Sequence, residues 1–66
     1  MIEVTRINGD KIILNAEEIE IIETAHDTTL TLKSGKKIAV KETSTEITRK
    51  VIEYKKQILN SISLEK

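Results

Sequence analysis

Apolar and polar residues alternate in short runs from the N-terminus to Val40. Ile2 and Val4 fall on one side and Glu3 and Thr5 on the other, which predicts a strand from Ile2 to Ile7. Asn8-Gly9 follows, the pair favoured in a type I′ hairpin turn, where both central residues need φ > 0. Lys11 to Leu14 is then the returning strand, with Ile12 and Leu14 facing Ile2 and Val4. Asn15-Ala16-Glu17-Glu18 breaks the alternation. Asn15 can cap a single helical turn, and the two glutamates suit its positive end. Ile19 to Ala25 reads as a third strand with Ile19, Ile21 and Ala25 on one side and Ile22 on the other. His26-Asp27 is a polar turn. Thr28 to Lys33 and Lys37 to Lys41 make a second hairpin around Ser34-Gly35. β-branched residues dominate these runs, as a half-buried pleated surface favours.

The period changes at Thr43. Thr43-Ser44-Thr45-Glu46 has the form of a capping box, a hydroxyl for an orphan N–H and a glutamate reaching back. Ile47, Val51, Tyr54, Ile58 and Ile62 then recur every three or four residues, the stripe of an amphipathic helix. No helix breaker stands between residues 45 and 62, which gives a helix of about 27 Å at 1.5 Å per residue. Ile52 and Leu59 lie about 100° around the helix from that stripe. A sheet of short strands covers one stripe. The second set therefore wraps into the sheet edge or stays exposed for a partner.

The expected fold class is α+β: a small antiparallel sheet of about five short strands followed by one C-terminal amphipathic helix. Whether the sheet closes into a barrel is open. The chain has 66 residues, room for a single domain over 1–66. Its sheet would occupy 1–42, its helix 43–62 and a frayed tail 63–66. So small a core gives marginal stability, which disulfides, metals or self-association usually supplement. The chain has no Cys and one His, which removes disulfides, thiolate sites and His-rich sites. Self-association is the expected remedy.

Net charge is zero, yet its distribution is uneven. Residues 1–30 hold two basic and seven acidic side chains, and residues 31–66 hold nine basic and four acidic. The halves can neutralise each other within the fold, or the subunit is dipolar and meets a neighbour of opposite sign. The first residues lack the apolar run of a signal peptide, and no stretch approaches the ~20 residues that span a bilayer. A cytoplasmic, non-membrane-spanning protein is expected.

Candidate chemistry is sparse. His26 beside Asp27 has no nucleophile placed to meet it. Glu17, Glu18, Glu20 and Glu23 alternate along a strand and cannot converge on one metal. The glycines match two turns and form no phosphate-cradling loop. No catalytic, cofactor or metal site is expected. Lys33, Lys36, Lys37 and Lys41 gather on one hairpin, and Arg49, Lys50, Lys55 and Lys56 on the helix. Readers of single-stranded nucleic acid also need aromatic platforms, and Tyr54 is the one aromatic residue. Lysines on strand edges also block edge-to-edge pairing. Nucleic acid is therefore not the expected partner.

The segment Ile2-Glu3-Val4-Thr5-Arg6-Ile7-Asn8-Gly9 resembles the opening of the flagellar FlbD family, the family of the swarming motility protein SwrD. The resemblance continues through Leu14-Asn15, Ile19-Glu20, Asp27-Thr28, Leu30-Thr31-Leu32, Gly35-Lys36-Lys37, Val40-Lys41-Glu42 and Val51-Ile52-Glu53-Tyr54-Lys55. It departs at Ile7, often Leu in the family, and at His26, often Pro. It implies a small cytoplasmic accessory protein, encoded among flagellar genes and associated with swarming and with torque from MotA/MotB stator units. It implies no enzymatic activity and brings no established binding residues. The alternative is a small RNA-binding regulator similar to the carbon storage regulator family, which shares the length, a sheet, a C-terminal helix and a Thr-Arg in the first strand. That family's later block with Gly and Pro is missing, and this chain has no Pro. The expected protein-interaction residues are Ile52, Leu59, Arg49 and Lys56 on the helix. Thr5, Arg6 and Asn8 form an expected second patch.

Overall fold

The computed structural model describes the backbone of residues 1–64 and the side chains of residues 1–60. Strands β1 (Ile2–Thr5), β2 (Lys11–Leu14), β3 (Ile19–Thr24), β4 (Thr28–Leu32) and β5 (Lys37–Val40) precede helix α1 (Ser44–Leu64). The expected frayed tail thus begins as helix at residues 63 and 64, and Glu65 and Lys66 lie outside the described residues. β1 pairs with β2 in the expected register, Ile2 opposite Leu14 and Val4 opposite Ile12. β3, β4 and β5 form a second antiparallel sheet in that order.

The turns at Gly9 and Gly35 share one geometry. Gly9 N donates to Arg6 O, and Arg6 N to Asp10 O; Gly35 N donates to Leu32 O, and Leu32 N to Lys36 O. Only the glycine of each loop has positive φ, 98° at Gly9 and 92° at Gly35. These are three-residue loops that end in a left-handed glycine, not type I′ turns, so Asn8 keeps negative φ. Asn8 instead accepts from Asp10 N at 3.0 Å, as Ser34 does from Lys36 N at 3.4 Å. Asn15 caps a single 3₁₀ turn, Ala16–Glu18, by accepting from Glu17 N.

The five strands divide into two sheets that do not close into a barrel. They meet where the end of β1 crosses the end of β5. There Arg6 bridges to Val40, Lys41 N donates to Thr5 O, and Ile7 N donates to Ala39 O. Ile2, Val4, Leu14, Ala16, Leu30, Ile38, Val40 and Ile47 form the core beneath this junction. The third strand differs from its simple alternation. A register shift between Ile19 and Ile21 turns Ile19 and Ile22 inward and leaves Ile21 exposed. An extra residue opposite one partner changes which face the following side chains occupy.

Helix α1 starts at the expected capping box. Glu46 N donates to Thr43 Oγ1 at 3.1 Å, and Thr43 N donates to Glu46 Oε1 at 2.9 Å. Thr43→Ala is expected to lower stability by about 1 kcal/mol. For so short a chain that is a drop in melting temperature of about 4–8 °C. Thermal melts followed by circular dichroism check it, with the exposed Thr45→Ala as the unchanged control. Beyond the cap, Ile47 is fully buried, Val51 and Tyr54 are half-buried against the core, and Ile58 is 38% exposed. Burial therefore fades along the expected stripe. Ile62, its last member, lies outside the described side chains.

Candidate protein-interaction surface

The length of the helix relative to the sheet, and the second apolar set that faces away from it, create the surface. Strands of four to six residues span about 14–20 Å. A helix of 21 residues spans about 31 Å. Ile47, Val51 and Tyr54 hold about the first three turns of the helix against the core, and the rest continues past its support. The molecule is accordingly drawn out, 44 × 22 × 18 Å along its principal axes.

Ile52 and Leu59 are 48% and 62% exposed. Of the two arrangements open from the sequence, the second apolar set is thus the uncovered one. Seven residues apart, they share one helix face. Exposed Arg49 and Lys56 flank Ile52 along a shallow surface that also takes in Thr45, Thr48 and Glu53. The four helix residues expected to make protein contacts therefore lie together.

A groove of about 450 Å³ runs between this face and β3. Ile19, Ile22, Val51 and Ile52 line it with apolar surface. Glu17 and Glu20 stand on its strand side, with Lys33, and Lys55 stands on its helix side. The one ion pair among the described residues joins Lys55 Nζ to Glu17 Oε1 at 3.9 Å, between two well-exposed side chains. A second opening along the helix is lined by Glu17, Lys55, Ile58 and Leu59. The β3 side of this surface had no simple sequence signal, because the register shift that turns Ile19 and Ile22 inward depends on pairing with β4.

Thr5, Arg6 and Asn8 occupy a different element, the end of β1 and its turn. Asn8 is exposed and spends its side chain on Asp10, which it meets through Nδ2 to Oδ2 at 3.1 Å. Arg6 is half-buried at the bridge to Val40. Thr5 is tied inward. Its N–H donates to Glu42 Oε1 at 2.9 Å and Oε2 at 3.0 Å, and its hydroxyl donates to Oε2 at 2.9 Å. Burial works to raise the Glu42 pKa. The hydrogen bonds from Thr5, aided by the Lys50 charge, outweigh it and hold the carboxyl below its ordinary value. A carboxylate kept ionised by two donors on one residue acts as a clamp between β1 and the residues leading into α1. Glu42 carried no signal in the sequence, since its partner lies 37 residues away.

Among the described residues, no three His, Cys, Asp or Glu side chains gather where they could hold a metal ion. His26 is exposed beside Asp27. Among the described residues, no helix is long and apolar enough to cross a membrane.

The sequence model of the family described as FlbD, flagellar and swarming motility proteins, matches residues 1–59. No curated protein and no solved structure matches the chain. The family match runs from the first strand through the exposed helix face to Leu59. On that span, this chain belongs to the FlbD family of flagellar and swarming motility proteins.

Proposed function

We propose that residues 1–66 work as a single small domain, a non-enzymatic accessory protein of bacterial flagellar motility. In this reading it acts in the cytoplasm and supports swarming and stator-driven motor torque by binding other protein. The observation that carries the reading is the family match over residues 1–59. The exposed Ile52 and Leu59, flanked by Arg49 and Lys56, supply a contact surface of the usual kind, an apolar centre with a charged margin. Stator components such as MotA and MotB are the partners in view, reached directly or through another motor protein. Arg6 and Asn8 form a second contact patch, with Thr5 fixing its base through Glu42. An RNA-binding role is the weaker reading. Tyr54, the one aromatic side chain, is half-buried against the core and offers no platform for stacked bases.

Deletion of the gene in its flagellated host is the test. Swarming and single-motor torque should fall while flagella still assemble, and the wild-type gene should restore both. Complementation with Ile52→Glu should fail, although its product accumulates and folds. Unchanged swarming and torque in the deletion strain would overturn the proposal.

A further inference from the structure

The chain exposes more surface than its mass requires. Its accessible area is 4824 Å², whereas a folded monomer of 7.5 kDa exposes about 4,200 Å². Its radius of gyration is 12.9 Å, against about 11 Å for a compact chain of this length. The helix that outruns its sheet draws the molecule out to 44 Å along its longest axis. The excess, roughly 600 Å², approaches the ~800 Å² that one partner contributes to a specific interface. Helix α1 carries three of the exposed large apolar side chains, Ile52, Ile58 and Leu59, while Met1, Ile7, Ile13 and Ile21 are exposed elsewhere.

The charges around this surface identify what covers it. Glu17 and Glu20 lie on one side of the apolar strip, and Lys56 and Arg49 flank Ile52 on the helix, where Glu53 is the one acidic side chain beside them. Lys55 stands at the seam, already within 3.9 Å of Glu17. Lys33 is the one basic side chain on the acidic rim. A phosphate-bearing partner, whether membrane or nucleic acid, would be repelled by the two glutamates. A purely acidic or purely basic peptide would match half of the surface. A two-fold axis through the apolar strip sets the acidic rim of each copy against the basic helix face of the other, so that one contact satisfies both signs.

We propose that this face is the interface of a homodimer, in which Ile52 and Leu59 of each copy pack into the β3–α1 groove of the other. This names a second copy as the direct partner at the Ile52–Leu59 surface, leaving motor components to be reached by the dimer through its other faces, and it rests on the protein-binding part of the reading above alone. The pairing covers the overhanging half of α1, which as an isolated amphipathic helix would be only marginally stable. It also supplies the self-association that so small a core calls for.

Sedimentation velocity and light scattering of the full chain over a concentration series test the proposal. The expected species has twice the 7.5 kDa of one chain. Ile52→Glu should weaken the dimer about thirtyfold or more while a dilute sample keeps its melting temperature. Lys56→Glu and Glu20→Lys should each weaken it about tenfold. An equal mixture of those two variants should recover a heterodimer, because both reversed charges then face each other. A chain that stays monomeric throughout overturns the homodimer. So does a dimer indifferent to Ile52→Glu, or a monomer that binds anionic vesicles. A monomer that nevertheless binds a purified stator component overturns the homodimer and leaves the motility role intact. Loss of the motility phenotype and loss of the dimer are thus read in separate experiments.

Discussion

Replacing Ile47 with alanine is expected to destabilise the chain by about 3 kcal/mol and to release the helix from the sheet. Truncating a buried Ile removes its transfer free energy and leaves a cavity, together worth about 2–5 kcal/mol. Ile47 belongs at the heart of that range because it is fully buried among Val4, Leu30 and Val40. It is also the only fully buried helix residue among those described. Val51 and Tyr54 are half-buried, and nothing farther along is better covered. A chain of this size has a total stability of about 3–10 kcal/mol, so the substitution removes a large share of it. Urea unfolding followed at 222 nm checks the magnitude. Ile47→Val, which keeps most of the volume, should cost about 1 kcal/mol. Ile52→Ala, on an exposed face, should stay within about 0.5 kcal/mol at concentrations where the chain is monomeric. If Ile47→Ala and Ile52→Ala proved equally mild, the helix would not be anchored at its first turns.

The contrast between Ile47 and Ile52 marks how far local pattern carries. Everything set by neighbours a few residues apart was legible: the β1–β2 register, the Asn15 cap, the Thr43–Glu46 capping box and the stripe begun by Ile47. The Asn8-Gly9 turn was legible as a turn but not as a type. One glycine satisfies a single left-handed position, and a three-residue loop needs just that one. The phase of β3 was misleading because the register shift after Ile19 is imposed by β4 rather than by the strand's own alternation. The division into two sheets depends on the crossing of β1 and β5, a contact between distant segments. For Ile52 and Leu59 the sequence narrowed the choice to covered or exposed. Ile52 stays exposed because it faces away from the covered stripe beside packed Val51 and Tyr54, and Leu59 because the helix there has also passed the core. The groove beside them needed the β3 shift as well, so half of the candidate surface was visible in the helix pattern and half was not.

The link between Thr5 and Glu42 is the least local of these contacts, and it leads to a pH-dependent expectation. Glu42 accepts from the Thr5 N–H and hydroxyl at 2.9–3.0 Å. Hydrogen bonds to a charged group are worth about 1.5–3 kcal/mol each when well buried. This carboxylate is half-buried, so Glu42→Ala is expected to cost about 2 kcal/mol in all at neutral pH. Glu42→Gln keeps one acceptor and should cost about 1 kcal/mol. The direction with pH follows from the lowered pKa of the folded state. The unfolded chain takes up the proton first as pH falls, so the stabilisation is complete above the unfolded pKa. It drains away as pH drops through the folded value, because the protonated group no longer supplies a full set of acceptors. The wild type and Glu42→Gln should therefore differ most near pH 7 and converge in the acid range below the ordinary carboxylate pKa. Unfolding free energies of both proteins from pH 7 to pH 3 would show the convergence. A constant gap across that range would mean that Glu42 stabilises by packing rather than by its charge. A gap of zero at pH 7 would mean that the β1–β5 junction holds without its clamp. The junction bears on the second contact patch, since Arg6 follows Thr5 directly in the chain. Loosening it by Glu42→Ala should speed amide exchange at Arg6 and Ile7, which donate to Asp10 O and Ala39 O, before it speeds exchange in β4.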